Sequence, residues 1–79
     1  MNITLSKRAA RALEALDRPT RSRVMAGIRG IPQGDIKLMH GYSDGRLRLR
    51  VGGYRVVFVY TSATTLHIIG IGPRGDIYK

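Results

Sequence analysis

The stretch RLRLRVGGYRVVFVY, residues 46–60, decides how this chain is read. Arginine stands at 46, 48 and 50, with leucine at 47 and 49. Strict alternation of this kind marks a strand with one apolar and one polar face. A second run follows from Tyr54 to Tyr60. Between the two sits Gly52-Gly53, a pair suited to a two-residue hairpin turn, because glycine takes positive φ without steric cost. A turn of that length fixes the register. Val51 then faces Tyr54, Arg50 faces Arg55, Leu49 faces Val56, Arg48 faces Val57, Leu47 faces Phe58 and Arg46 faces Val59. Opposed residues share a face. Leu47, Leu49, Val51, Tyr54, Val56 and Phe58 form a side fit for a core, and Arg46, Arg48, Arg50 and Arg55 form the other.

The rest of the chain supplies what such a hairpin needs. Residues 2–5 read as a short strand. Ser6 stands where a helix N-cap belongs, before a helix over 7–16 with an apolar stripe at Ala9, Leu13 and Leu16. Glu14 and Arg18 have the favourable i, i+4 order if that helix runs far enough. Pro19 suits the first turn of a second helix, which buries Val24, Met25, Ile28 and Ile31 and is stopped by Gly30 and Pro32. Residues 34–44 read as loop. After a turn at 61–65, residues 66–71 make a third strand of the C-terminal half, ended by Gly72-Pro73. The order strand, helix, helix, three strands predicts an α+β fold. An N-terminal strand and a helical hairpin pack on one face of a mostly antiparallel sheet.

The chain has 79 residues, of which 43% are hydrophobic, and forms a single domain over 1–79. A domain of this size buries roughly 60–65% of its unfolded surface, enough for one small core. Cysteine is absent, which excludes disulfides, thiolate metal sites and a cysteine nucleophile. No apolar run approaches the ~20 residues of a membrane helix. The N-terminal MNITLSKRAARALEAL places charge and alanine where a signal peptide needs an apolar stretch, so a cytoplasmic protein with no membrane partner is expected. Lys and Arg number 14 against 5 Asp and Glu, a net charge of +9. Eleven of the cations are arginine, whose planar fork matches phosphate. A polyanionic partner follows from that balance. The arginine face points the same way. Arg50 against Arg55 is a like-charge pair that costs up to roughly 1 kcal/mol, with no acidic residue in either strand to relieve it. A phosphate backbone across the face offsets that repulsion; the competing reading is an ordinary solvated face.

The catalytic inventory is short. His40 falls in a loop and His67 in an apolar strand, where a structural role is commoner than ligation. Neither has an acidic cluster near it, so no metal is expected. No nucleophile elbow and no glycine-rich loop followed by lysine appears, so no small-molecule cofactor is expected. Arginine and tyrosine remain. RNA carries its own nucleophile, the 2′-hydroxyl, and an enzyme cleaves it by aligning that group and stabilising charge on the phosphate. Arginine does the second; its pKa is too high for it to act as a base. A tyrosine among arginines can take the proton. Two readings stand for Tyr78: proton acceptor, or apolar anchor of the C-terminus.

The C-terminal half, from KLMHG through GRLRLRVGGYRVVFVY to HIIGIGPRGDIYK, resembles the RelE/ParE toxin superfamily, and the order of the N-terminal elements fits it too. The most specific parts are L-R-V-G-x-Y-R-V-V-F and the closing I-G-x-R-x-D-I-Y. The resemblance implies the toxin of a type II toxin–antitoxin system with a cognate antitoxin. In the RelE branch it implies a metal-independent endoribonuclease that cuts mRNA in the A site of the 30S ribosomal subunit. It implies RNA and transition-state contacts for Arg46 and Arg48, scissile-phosphate contacts for Arg55 and Arg74, and a proton-transfer role for Tyr78. Two features depart from the family pattern. Arg46 and Arg48 stand where lysine is frequent, and Pro73 stands where several relatives carry a basic group. ParE-like relatives share the fold and inhibit DNA gyrase by binding. A non-catalytic RNA binder is a third reading.

Overall fold

The computed structural model describes residues 1–73. The elements are β1 (Asn2–Leu5), α1 (Lys7–Ala15), α2 (Arg18–Arg29), β2 (Asp35–Leu38), β3 (Leu47–Val51), β4 (Tyr54–Ser62) and β5 (Thr65–Pro73). They form one five-stranded sheet in the order β1-β5-β4-β3-β2. β1 runs parallel to β5 and every other pair is antiparallel, so the α+β architecture with a mostly antiparallel sheet is as expected. The β3–β4 register is the one the Gly-Gly turn dictates, from Val51 opposite Tyr54 to Leu47 opposite Phe58. Gly52 has φ +57, the positive φ that a type II′ turn needs at its first central position.

Three local expectations are corrected. Residues 34–44 are not all loop: Asp35–Leu38 is an edge strand, with Asp35 opposite Arg50 and Lys37 opposite Arg48. Ile36 and Leu38 alternate with these two, so the strand signal was present but only four residues long. α1 stops at Ala15, with Leu16 extended, so Glu14 and Arg18 share no helix and gain no i, i+4 support. Instead the Arg21 guanidinium, from α2, donates to the carbonyls of Leu13, Glu14 and Leu16 and satisfies the open end of α1. β5 extends on both sides of 66–71, to Thr65 and Pro73.

The helices lie on one face. Ala9, Val24 and Ile28 pack there with Leu49, Val56, Phe58, Leu66, Ile68 and Ile71. α2 crosses the hairpin closely: a Cβ at Gly27 would stand 2.7 Å from Cγ2 of Val51. β5 slips register between Val57 and Phe58, which pair with Gly70 and Ile68. The extra residue, Ile69, is a bulge. It brings Ile68 and Ile71, three apart, onto the same core face, with both buried. Ser6 locks this bulge to α1. Its hydroxyl donates to the Ile69 carbonyl at 2.7 Å and accepts from the Ala9 amide at 3.0 Å.

Candidate nucleic-acid interface

The face away from the helices is built by parity. Once Leu49, Val56 and Phe58 turn inward, Arg48, Arg50, Arg55 and Val57 must turn outward. β2 adds Asp35 and Lys37 to this face. β5 adds Gly72 opposite Arg55 and Gly70 opposite Val57. Both glycines are buried. β5 therefore places no side chain beside Arg55 at the paired position.

The four arginines predicted for this face are not equivalent. Arg48 is only 7% exposed; one guanidinium nitrogen reaches the Asp35 carbonyl at 3.5 Å and its carboxylate at 3.7 Å. Arg50 lies 3.7 Å from the same carboxylate. The like-charge repulsion is therefore relieved by Asp35, an acidic residue from a strand that the sequence pattern reads as loop. Arg46 precedes β3, and its carbonyl accepts from the Met39 amide. Its guanidinium meets Asp44 at 2.9 Å and lies 4.3 Å from the centre of the Tyr42 ring, so it braces the β2–β3 connection. That bond from Arg46 holds the Asp44 carboxyl below its ordinary value of 3.8. Arg55 is half-buried with an enclosed Nε, as Arg46 is, but differs from all three in having no hydrogen-bond or ion-pair partner among the described residues.

Arg74 and Tyr78 lie outside the described residues. β5 ends at Pro73 opposite Tyr54, one position from the Arg55–Gly72 pair. His67 does not stand alone: its Nδ1 and the Thr4 hydroxyl are 2.7 Å apart across the β5–β1 pair. Among the described residues no group of three or more His, Cys, Asp or Glu is placed to hold a metal, and no helix is long and apolar enough to cross a membrane. Asp35 and Lys37 are the residues of this face that sequence reasoning missed. The D-I-K-L alternation over 35–38 is the signal that finds them.

No family model matches the chain, and no curated protein does. Solved structures do. A RelE–RelB complex from Pyrococcus horikoshii matches with TM-score 0.75 at 23% identity, covering 95% of this chain and 96% of that one. A RelB–RelE antitoxin–toxin complex from Methanococcus jannaschii matches with TM-score 0.74 at 23% identity, covering 95% and 94%. A RelBE-type toxin–antitoxin complex from Mycobacterium tuberculosis matches with TM-score 0.77 at 22% identity, covering 92% and 96%. End to end, then, with two helices on one side of a sheet and arginines on the other, this chain has the fold of the RelE toxins.

Proposed function

We propose that this chain is the toxin of a toxin–antitoxin pair and acts as a ribosome-dependent endoribonuclease on mRNA in the A site. The observation that carries the reading is Arg55, a half-buried arginine with an enclosed Nε and no protein partner among the described residues, on a sheet face shared with Arg48, Arg50 and Lys37. A buried guanidinium N–H without an acceptor is costly, and a phosphate supplies the missing acceptor while engaging the fork bidentately. Similarity in fold to toxins solved with their antitoxins supports the same reading.

The chemistry uses the substrate's own nucleophile. The 2′-hydroxyl attacks the adjacent phosphorus as its proton passes to the phenolate form of Tyr78, and the P–O5′ bond breaks as water protonates the leaving O5′, giving a 2′,3′-cyclic phosphate and a 5′-hydroxyl. Arg55 and Arg74 neutralise the phosphorane oxygens. Arg50 contacts the RNA backbone directly. Arg48, held by Asp35, serves as a fixed charge beneath it. Arg46, committed to Asp44 and Tyr42, shapes the rim of the face. No strong base is present in this set, so the ribosome must hold the mRNA in line, and naked RNA is cut slowly. A cognate antitoxin is the expected partner. β2 is an edge strand, and Leu38 on it is 57% exposed, which suits an added strand that carries an apolar side chain.

The test is a cell-free bacterial translation reaction with mRNA 5′ ends mapped by primer extension. New ends within the A-site codon are expected, and Arg55→Gln and Arg74→Ala should each reduce them by ~100-fold or more, in line with loss of a charge-stabilising group. Intact mRNA together with inhibited DNA supercoiling would overturn the reading in favour of a gyrase-binding protein.

A further inference from the structure

The open face of the sheet carries a histidine that the cleavage scheme does not use. His67 sits in β5 between Leu66 and Ile68, both buried in the core. Alternation therefore turns its ring to the other face, the one that bears the arginines. It stands opposite Val59 on β4 and Thr4 on β1. Arg55 lies four residues from Val59 along β4, roughly 13 Å at the rise of a strand, so His67 and Arg55 meet different nucleotides of a bound strand. Their surroundings differ too. Thr4 and Val59 are uncharged, as are Asn2 and Thr65, the pair next to Thr4 and His67 on the same face. A short chain of hydrogen bonds fixes the ring. The Thr4 hydroxyl donates its proton to the Leu66 carbonyl at 3.4 Å. Its oxygen, 2.7 Å from His67 Nδ1, is left to accept. A hydroxyl has one proton to give, so this network assigns the proton of the neutral ring to Nδ1. Nε2 is then a bare acceptor, with no hydrogen-bond partner among the described residues. The arginines and Lys37 on this face can only donate. They suit phosphate oxygens, whereas Nε2 needs a donor.

We infer that His67 Nε2 accepts a hydrogen bond from a ribose 2′-hydroxyl of the bound strand, at a nucleotide away from the scissile one, and that this contact makes the sheet face select RNA over DNA. The inference rests on the proposed binding of RNA to this face and not on its cleavage. The 2′-hydroxyl is a donor that RNA presents at every nucleotide and DNA lacks. Base amino groups are donors as well, but both nucleic acids carry them, so a comparison of the two separates the sources. Thr4 is a positioning residue, since it holds the ring and its proton in place.

The experiment compares wild type with H67N, H67Q, T4V and R55Q, each checked for folding by thermal melting. Binding to a single-stranded RNA and to DNA of the same base sequence, with deoxyuridine for uridine, is followed by fluorescence anisotropy. Long-range proton–nitrogen NMR of the imidazole should show the Nδ1–H tautomer in the free protein, and the Nε2 resonance should move on addition of the RNA but not of the DNA. Asparagine keeps a group near Nδ1 to meet Thr4 and removes the outer acceptor, so H67N should bind the RNA about fivefold more weakly, the effect of one hydrogen bond, and the DNA as before. Glutamine places a carbonyl near the Nε2 position, so H67Q should retain most of the preference for RNA. T4V, which frees the ring, should lose part of it. R55Q should weaken both nucleic acids alike, as a phosphate contact does. An Nε2–H tautomer in the free protein would overturn the inference. So would an H67N variant whose RNA affinity is unchanged, or falls no further than its DNA affinity. These results overturn it alone where R55Q still weakens binding. Unchanged binding in R55Q would instead remove the arginine face as the contact surface, and this inference with it.

Discussion

At the scale of single residues, two positions decide how the site is held. Gly27 lets α2 lie against the hairpin, and a methyl group there would come within 2.7 Å of Val51 Cγ2. Gly27→Ala should destabilise the fold by about 1–3 kcal/mol, the usual range for overpacking, despite the better helix propensity of alanine. Val51→Ala in the same chain should recover part of the loss in urea denaturation, because the two side chains compete for one space. Equal, additive losses would show that the clash is relieved elsewhere. Asp35 acts differently. It is half-exposed and serves two arginines at 3.7 Å, so each pair contributes little to stability. Asp35→Asn should change stability by less than ~1 kcal/mol. It should weaken A-site cleavage more visibly, since Arg48 and Arg50 lose the carboxylate that orients them.

Caps and edges set the behaviour of the elements. Ser6 serves β5 and α1 at once, as acceptor from Ala9 and donor to the bulge carbonyl of Ile69. Ser6→Ala should cost about 1–2 kcal/mol, the high end for an N-cap, and Ser6→Gly nearly as much, since glycine supplies no hydroxyl for the Ile69 carbonyl. α2 is capped by Asp17, whose carboxyl is held below 3.8, chiefly by its hydrogen bond with the Thr20 side chain. A carboxyl with a lowered folded-state pKa stabilises above its unfolded value, and that contribution disappears as pH falls through the folded one. Acid melting below pH ~4 should therefore become shallower in Asp17→Asn, which keeps the cap without the titration. An unchanged acid limb would remove Asp17 as a source of the acid sensitivity.

Across the whole molecule, charge outweighs any single contact. A net charge of +9 on 79 residues disfavours the compact state by self-repulsion. Raising ionic strength from 0.01 M to 0.1 M shortens the Debye length from about 30 Å to about 10 Å. Tm should then rise by several degrees, where ~1 kcal/mol corresponds to about 4–8 °C for a domain of this size. RNA binding should move the opposite way and weaken with salt. A Tm that falls over this range would mean that surface ion pairs such as Arg46–Asp44 outweigh the like-charge repulsion.

The hairpin register, the division of its residues between core and arginine face, and the placing of both helices were legible in the sequence. They depend on local physics: a two-residue turn permits one register, and period two or 3.6 assigns faces without reference to the rest of the chain. Four things were decided only by tertiary structure. The strand at Asp35–Leu38 is too short to stand alone and exists because β3 offers it an edge. The Ile69 bulge breaks the alternation so that Ile68 and Ile71 both reach the core. The capping of α1 by Arg21 joins residues on separate helices. Most consequential for function, four arginines alike in sequence became distinct in space. Arg48 and Arg50 took Asp35, Arg46 took Asp44 and Tyr42, and Arg55, opposite Gly72, was left without a partner among the described residues. Side-chain alternation states which way an arginine points. What it meets there depends on neighbouring strands and loops, whose positions no local pattern encodes.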